Sequence, residues 1–282
     1  MVKQKTFNKH GKPSILWQEM ISAILIFIIG FFVVRRSFMV FPKEEITIGS
    51  FNFIEAGFYF LIATLVILFL VSFVKSRKIF QIFFALVLFS GLQVVFSVFA
   101  SSETAALIAL ALIIFKYIIP YIWYHNILMI GALGGIGAVF GLSLEPKVAV
   151  LIVVVLAVYD IAAVFYTKHM VKMARGLADK GVFLAIIIPE KIKMLNRRLD
   201  EFKPGGPMVI LGGGDLALPL VLASSAAIYG FYNYFLVALF SLLGFAAVYF
   251  IFESQKIRRP IPALPPIAAA GIVGFLISLL IF

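Results

Sequence analysis

The sequence is 282 residues long, 63% hydrophobic and 13% charged, with a net charge of +11 and a mean hydropathy of +1.12. Soluble domains carry about 45–50% apolar and roughly 25% charged residues, so water is excluded as the solvent for most of this surface. The absence of cysteine excludes disulfides, thiolate metal sites and cysteine nucleophiles.

The basic start of the chain (Lys3, Lys5, Lys9, Lys12) leads into an apolar segment that runs to Arg35 and Arg36 without a small-residue cleavage site. It reads as a retained first transmembrane helix rather than a signal peptide. A spanning helix needs about 20 mostly apolar residues, and such stretches occur near 15–34, 54–74, 79–100, 104–124, 127–144, 148–166, 208–227, 230–252 and 262–282. Their unbroken apolar runs point to helices rather than barrel strands, which alternate and are shorter. The expected fold is therefore an all-α membrane protein with nine transmembrane helices in one bundle. Residues 1–166 hold helices one to six, 167–206 form a basic loop, and 207–282 hold helices seven to nine.

Lys and Arg decide orientation. With nine spans, the N-terminus and the loops on its side carry 19 of these residues, the opposite side carries 4, and Lys116 lies inside span four. The N-terminus and loop 167–206 are thus expected in the cytoplasm and the C-terminus outside. Lys116 then sits in the cytoplasmic half of its span and can snorkel toward headgroups. The positive charge suits the anionic inner leaflet, so membrane lipid is the expected partner and nucleic acid is not. Within the loop, the apolar run 183–189 reads as a segment on or in the membrane or as a plain interfacial helix, with a slight preference for the helix.

The three histidines are far apart and no H-E-x-x-H occurs, which disfavours a metalloprotease. No G-x-S-x-G occurs either, which weakens a serine-hydrolase reading. Two acids stand out instead. Asp160 lies in span six and Asp215 in span seven, each flanked by apolar residues. A carboxylate inside hydrocarbon is costly, so such residues pair, line a water-filled cavity or perform chemistry. Counted in helical steps, both lie roughly 9–10 Å below the cytoplasmic boundary. Two neighbouring carboxyls that share a proton can activate water for attack on an amide. On residue type and depth alone, a proton- or cation-conducting transporter or leak pathway fits equally well.

Gly212, Gly213 and Gly214 precede Asp215. They weaken the helix and let another chain approach closely, as a protease requires of its substrate; helix packing would also account for glycines, as for Gly131, Gly135, Gly137 and Gly141 in span five. Tyr159-Asp160 forms a Y-D motif, Gly212–Asp215 a G-x-G-D motif, and Pro262-Ala263-Leu264 a P-A-L motif at the start of span nine. Their order and placement resemble the presenilin and signal peptide peptidase family of intramembrane aspartyl proteases. The resemblance implies that Asp160 and Asp215 are the catalytic pair and that Tyr159, Gly212 and Gly214 shape the site. Pro262, Ala263 and Leu264 would pack beside the pair and help to position substrate. It further implies transmembrane protein substrates, no cofactor and no metal. The short loop and the lack of a large N-terminal domain suggest a compact microbial homologue, in the cell membrane, that works without accessory subunits. Self-association into homo-oligomers stays open.

Overall fold

The computed structural model of the protein describes residues 13–41, 54, 55, 58, 62, 76–167, 181–201, 208–255 and 261–281. In chain order the described helices are α1 (Pro13–Val40), α2 (Arg77–Ser97), α3 (Ser102–Ile118), α4 (Ile122–Leu142), α5 (Pro146–Ala162), α6 (Gly213–Ala226), α7 (Phe231–Glu253) and α8 (Leu264–Ile281). A π-helical turn, Ala163–Thr167, continues α5. Two strands, β1 (Ala185–Pro189) and β2 (Met208–Gly212), lie between α5 and α6. The expected span near 54–74 lies outside the described residues, apart from four isolated positions.

Among the described residues, six helices are long and apolar enough to cross a membrane: α1, α2, α4, α5 with its π-helical extension, α7 and α8. The other two are shorter, 17 residues for α3 and 14 for α6, or about 25 Å and 21 Å at 1.5 Å per residue. Local chemistry sets their ends. The Ser101 hydroxyl accepts from Thr104 N–H and Glu103 occupies the first turn of α3, matching the exposed donors and positive end of a helix N-terminus. The helix stops ahead of Pro120, because the residue before a proline is pushed out of the helical region. Chain and helix resume at Ile122, so the expected span 104–124 ends early. Pro146 opens α5 at the first position, where a missing N–H costs nothing. Between α6 and α7 the chain turns at Gly230, with φ +148, a conformation that side chains disfavour.

The helices form one bundle with a shared apolar core. Outward residues are themselves apolar, including Trp17, Leu86, Leu107, Val158, Phe250 and Leu280. That is the pattern expected where lipid replaces water. Since apolar burial then drives association weakly, close approach and interhelical hydrogen bonds matter more. A Cβ on Gly91 of α2 would strike the backbone of Ala132 on α4, and one on Gly135 would strike Gly91. The buried Tyr234 hydroxyl of α7 donates to Phe27 C=O of α1 at 2.6 Å, and Asn233 Nδ2 donates to Ser278 Oγ of α8 at 2.9 Å. Lys116 is half-buried, its ammonium 4.3 Å from the centroid of the Phe84 ring on α2. A cation–π contact thus gives the ammonium a partner on α2.

The mostly helical architecture carries one addition. Strands β1 and β2 pair antiparallel, with Ala185 opposite Gly212 and Pro189 opposite Met208. The run 183–189 is thus not an interfacial helix, and 208–212 is not the first turn and a half of a span. Ala-Ile-Ile-Ile-Pro and Met-Val-Ile-Leu-Gly are short apolar runs closed by Pro or Gly. Periodicity cannot separate buried strand from helix at that length. β-Branched residues and a partner strand decide it.

Candidate active site

Asp215 lies in the first turn of α6, where the helix dipole suits a carboxylate. The strand ladder runs directly into this helix: Gly213 N–H donates to Leu184 C=O at 3.0 Å. One of the orphan donors at the start of α6 is thereby satisfied by the residue preceding β1. Pro219 lies inside the helix four residues after Asp215. It has no N–H, so the Asp215 carbonyl loses its usual helical donor.

The three glycines meet different surroundings. A Cβ on Gly212 would come within 2.9 Å of Asp215 Oδ2, and one on Gly213 within 2.9 Å of Leu184 C=O. At Gly214 nothing lies within 4 Å. Gly214 is exposed and Asp215 is half-buried; an apolar cavity of about 210 Å³ opens beside Gly214, lined by Gly213, Gly214, Ala217, Leu184, Met129 and Phe84 among others but not by either aspartate. Gly213, not singled out by the motif, is as tightly confined as Gly212.

Asp160 is 6% exposed on α5, three residues before the π turn that continues that helix. Its Oδ2 accepts from Leu264 N–H at 3.2 Å. Leu264 is the first residue of α8, and Pro265 and Pro266 have no N–H, so Asp160 takes the leading donor of a donor-poor helix start. Of the P-A-L residues, Pro262 and Leu264 are buried and Ala263 is half-buried. Tyr159 is 60% exposed, as a residue one helical step (about 100°) from a buried neighbour can be.

Helices α5, α6 and α8 pack on one another, and the Asp160 charge acts on Asp215. The count in helical steps that put both acids at matched depth does not apply to Asp215, because 208–212 is a strand. Five residues of β2 cover about 17 Å rather than the 7–8 Å of a helix. Helix packing, not equal residue counts, brings the carboxyls into range. A third acid joins them that sequence reasoning passed over. Glu19 of α1 is 7% exposed and interacts electrostatically with Asp215. Its position near the start of an apolar run made it look like a span-end residue; only the packing of α1 against α6 and β1 turns it inward. Among the described residues, no three His, Asp or Glu side chains are grouped to hold a metal.

Comparison with known proteins bears on the fold and the family. A structure described as a presenilin family intramembrane aspartate protease in space group C222 superposes with a TM-score of 0.66 at 21% identity, covering 95% of this chain and 99% of that one. A second, in space group P2, gives 0.63 at 22% identity, covering 94% and 97%. At such identities the likeness is one of fold. No curated protein sequence matches the chain. The family model described as signal-peptide peptidase, presenilin aspartyl protease matches residues 21–282, and the chain therefore belongs to the presenilin and signal-peptide peptidase family of aspartyl proteases.

Proposed function

We propose that the protein is an endopeptidase that hydrolyses peptide bonds in or near the transmembrane segments of membrane proteins, with Asp160 and Asp215 as its catalytic pair. The observation that carries this reading is the packing of α5, which bears Asp160, against α6, which bears Asp215, beside an open position at Gly214. Two such carboxyls share the work of amide hydrolysis. One takes a proton from water as it attacks the scissile carbonyl, and the other donates to the carbonyl oxygen and then to the leaving amine. The hydrogen bond from Leu264 N–H holds one Asp160 oxygen in place. Pro262, Ala263 and Leu264 thus act on the site by fixing where α8 begins. Gly212 leaves room for the Asp215 carboxyl, and Gly214 leaves room for substrate.

A helix hides its amides, so the substrate must become extended where it is cut. Strand β2 supports this step. Ile210 lies opposite Ile187, whose N–H and C=O turn away from β2 to Asn126. In an antiparallel pair Ile210 must then turn its own groups to the other side. That edge has no partner among the described residues and leads straight to Asp215. An unpaired edge is a template for an extended peptide. Loop 167–206 and the N-terminus face the cytoplasm in this reading, so water reaches the pair from that side. Neither a cofactor nor an accessory subunit is required. A conducting pathway built on the same acids has no comparable support, because family membership points to proteolysis.

The test is reconstitution of the purified protein in liposomes with a single-span reporter. The native protein is expected to cleave it, and Asp160→Ala and Asp215→Ala each to abolish cleavage while remaining folded. Retained cleavage in either variant would remove that aspartate from the mechanism.

A further inference from the structure

Strand β1 has two edges, and both are occupied. Its even-numbered residues face β2, where Ile186 and Ile188 pair with Leu211 and Val209, and Leu184 C=O extends the ladder to Gly213 N–H. Its odd-numbered residues turn the other way, toward α1 and α4. There Ile187 N–H donates to Asn126 Oδ1 at 3.0 Å, and Asn126 Nδ2 donates to Ile187 C=O at 2.8 Å. His125 Nε2 lies 3.0 Å from Ala185 C=O. A carbonyl only accepts, so Nε2 carries the proton. Gln18 Nε2 of α1 donates to Pro189 C=O at 3.0 Å, and Ser14 Oγ to Glu190 C=O at 2.9 Å.

The carboxamide of asparagine carries the donor and acceptor of a peptide group. Asn126 therefore does for Ile187 what a neighbouring strand would do, taking both its N–H and its C=O. It sits on α4, a well-buried helix, beside the buried Ile122 and His125, so its position is well held. Ile187 is itself fully buried, so its peptide groups cannot turn to bulk solvent in place of the amide.

We propose that Asn126 is a positioning residue for Asp215. By gripping Ile187 it fixes the height of β1 against α4. Leu184 C=O then fixes Gly213 N–H, the start of α6, two residues from the Asp215 carboxyl. His125 and Gln18 hold the same edge on either side, but only Asn126 binds one residue twice and so resists sliding of the strand in both directions. The inference rests on the reading of Asp215 as catalytic and adds a residue that belongs to none of the three motifs.

The experiment uses the full chain in liposomes with the same single-span reporter, kcat being counted per folded protein. Asn126→Leu keeps the size and removes both hydrogen bonds; kcat is expected to fall about 10- to 100-fold with KM changed less than about threefold, the scale of loss that a displacement near 1 Å brings. Asn126→Asp removes only the donor to Ile187 C=O and is expected to lie between Asn126→Leu and the native protein.

A residue needed only for folding would lower the yield of folded protein and leave kcat per folded molecule unchanged in both variants. Native kcat per folded molecule in Asn126→Leu, or a loss carried by KM alone, would overturn the proposal while leaving the catalytic pair intact. Failure of the native protein to cleave would overturn both.

Discussion

At the scale of single residues, the glycines before Asp215 separate into a steric pair and an open position. Gly212 makes way for the Asp215 carboxyl and Gly213 for the Leu184 carbonyl, whereas a methyl group at Gly214 would meet nothing. Gly212→Ala is therefore expected to cut cleavage by about 10-fold or more, because a carboxyl displaced from its working position loses alignment, with little change in thermal midpoint. Gly214→Ala is expected to keep the fold and to raise stability by a few tenths to about 1 kcal/mol, the ordinary gain from replacing a helical glycine. Paired thermal-unfolding and cleavage measurements on the two variants check this. Native cleavage in Gly212→Ala would show that the Asp215 carboxyl does not depend on the space at Gly212. The G-x-G-D spelling pointed to Gly212 and Gly214 and left Gly213 as the free position. The conflict at Gly213 is with a carbonyl 29 positions earlier, and no local reading of four residues could anticipate it.

At the scale of elements, Asp160 has two duties that substitution can separate. It belongs to the proposed catalytic pair and it also receives the first N–H of α8. An asparagine keeps an oxygen acceptor of the same shape but loses the acid, while alanine loses both. Asp160→Asn is thus expected to abolish cleavage with stability near native. Asp160→Ala should abolish cleavage and lose about 1 kcal/mol more, as removal of a helix-capping side chain does. Denaturation of the two variants in the same detergent reads the difference; identical stabilities would mean that the Leu264 contact adds nothing to α8. The strands belong to this scale as well. Apolar runs of five residues at 185–189 and 208–212 suit helix or strand equally by pattern. Pairing with each other and docking on Asn126 and His125 made them strands, and those contacts span about 60 positions of sequence.

At the scale of the whole molecule, the bundle is tied across its ends by buried hydrogen bonds between distant helices. Tyr234 of α7 to Phe27 of α1 joins positions 207 apart, at 2.6 Å. Tyr234→Phe removes the donor and leaves the ring contacts with Phe31 and Phe235. It is expected to lower stability by about 1–2 kcal/mol, the usual cost of losing one side of a buried hydrogen bond, without changing kcat, since the bond lies outside the catalytic pair. A fall in kcat per folded molecule would show that the placement of α1 controls the site. That outcome would turn interest to Glu19, which α1 brings up to Asp215.

The sequence by itself determined the solvent and the family, and it singled out the two aspartates proposed as the catalytic pair. Composition and apolar run length follow from the bilayer's own thickness and dielectric, and they are legible in any one segment. Tertiary structure alone decided that 208–212 is a strand, that Glu19 turns inward, that Tyr159 stays exposed and that Asn126 holds β1. Each of these depends on which other segment lies alongside. A hydrogen-bond partner 61 or 171 positions away leaves no mark on the local pattern, and packing can override what the local residues would otherwise prefer.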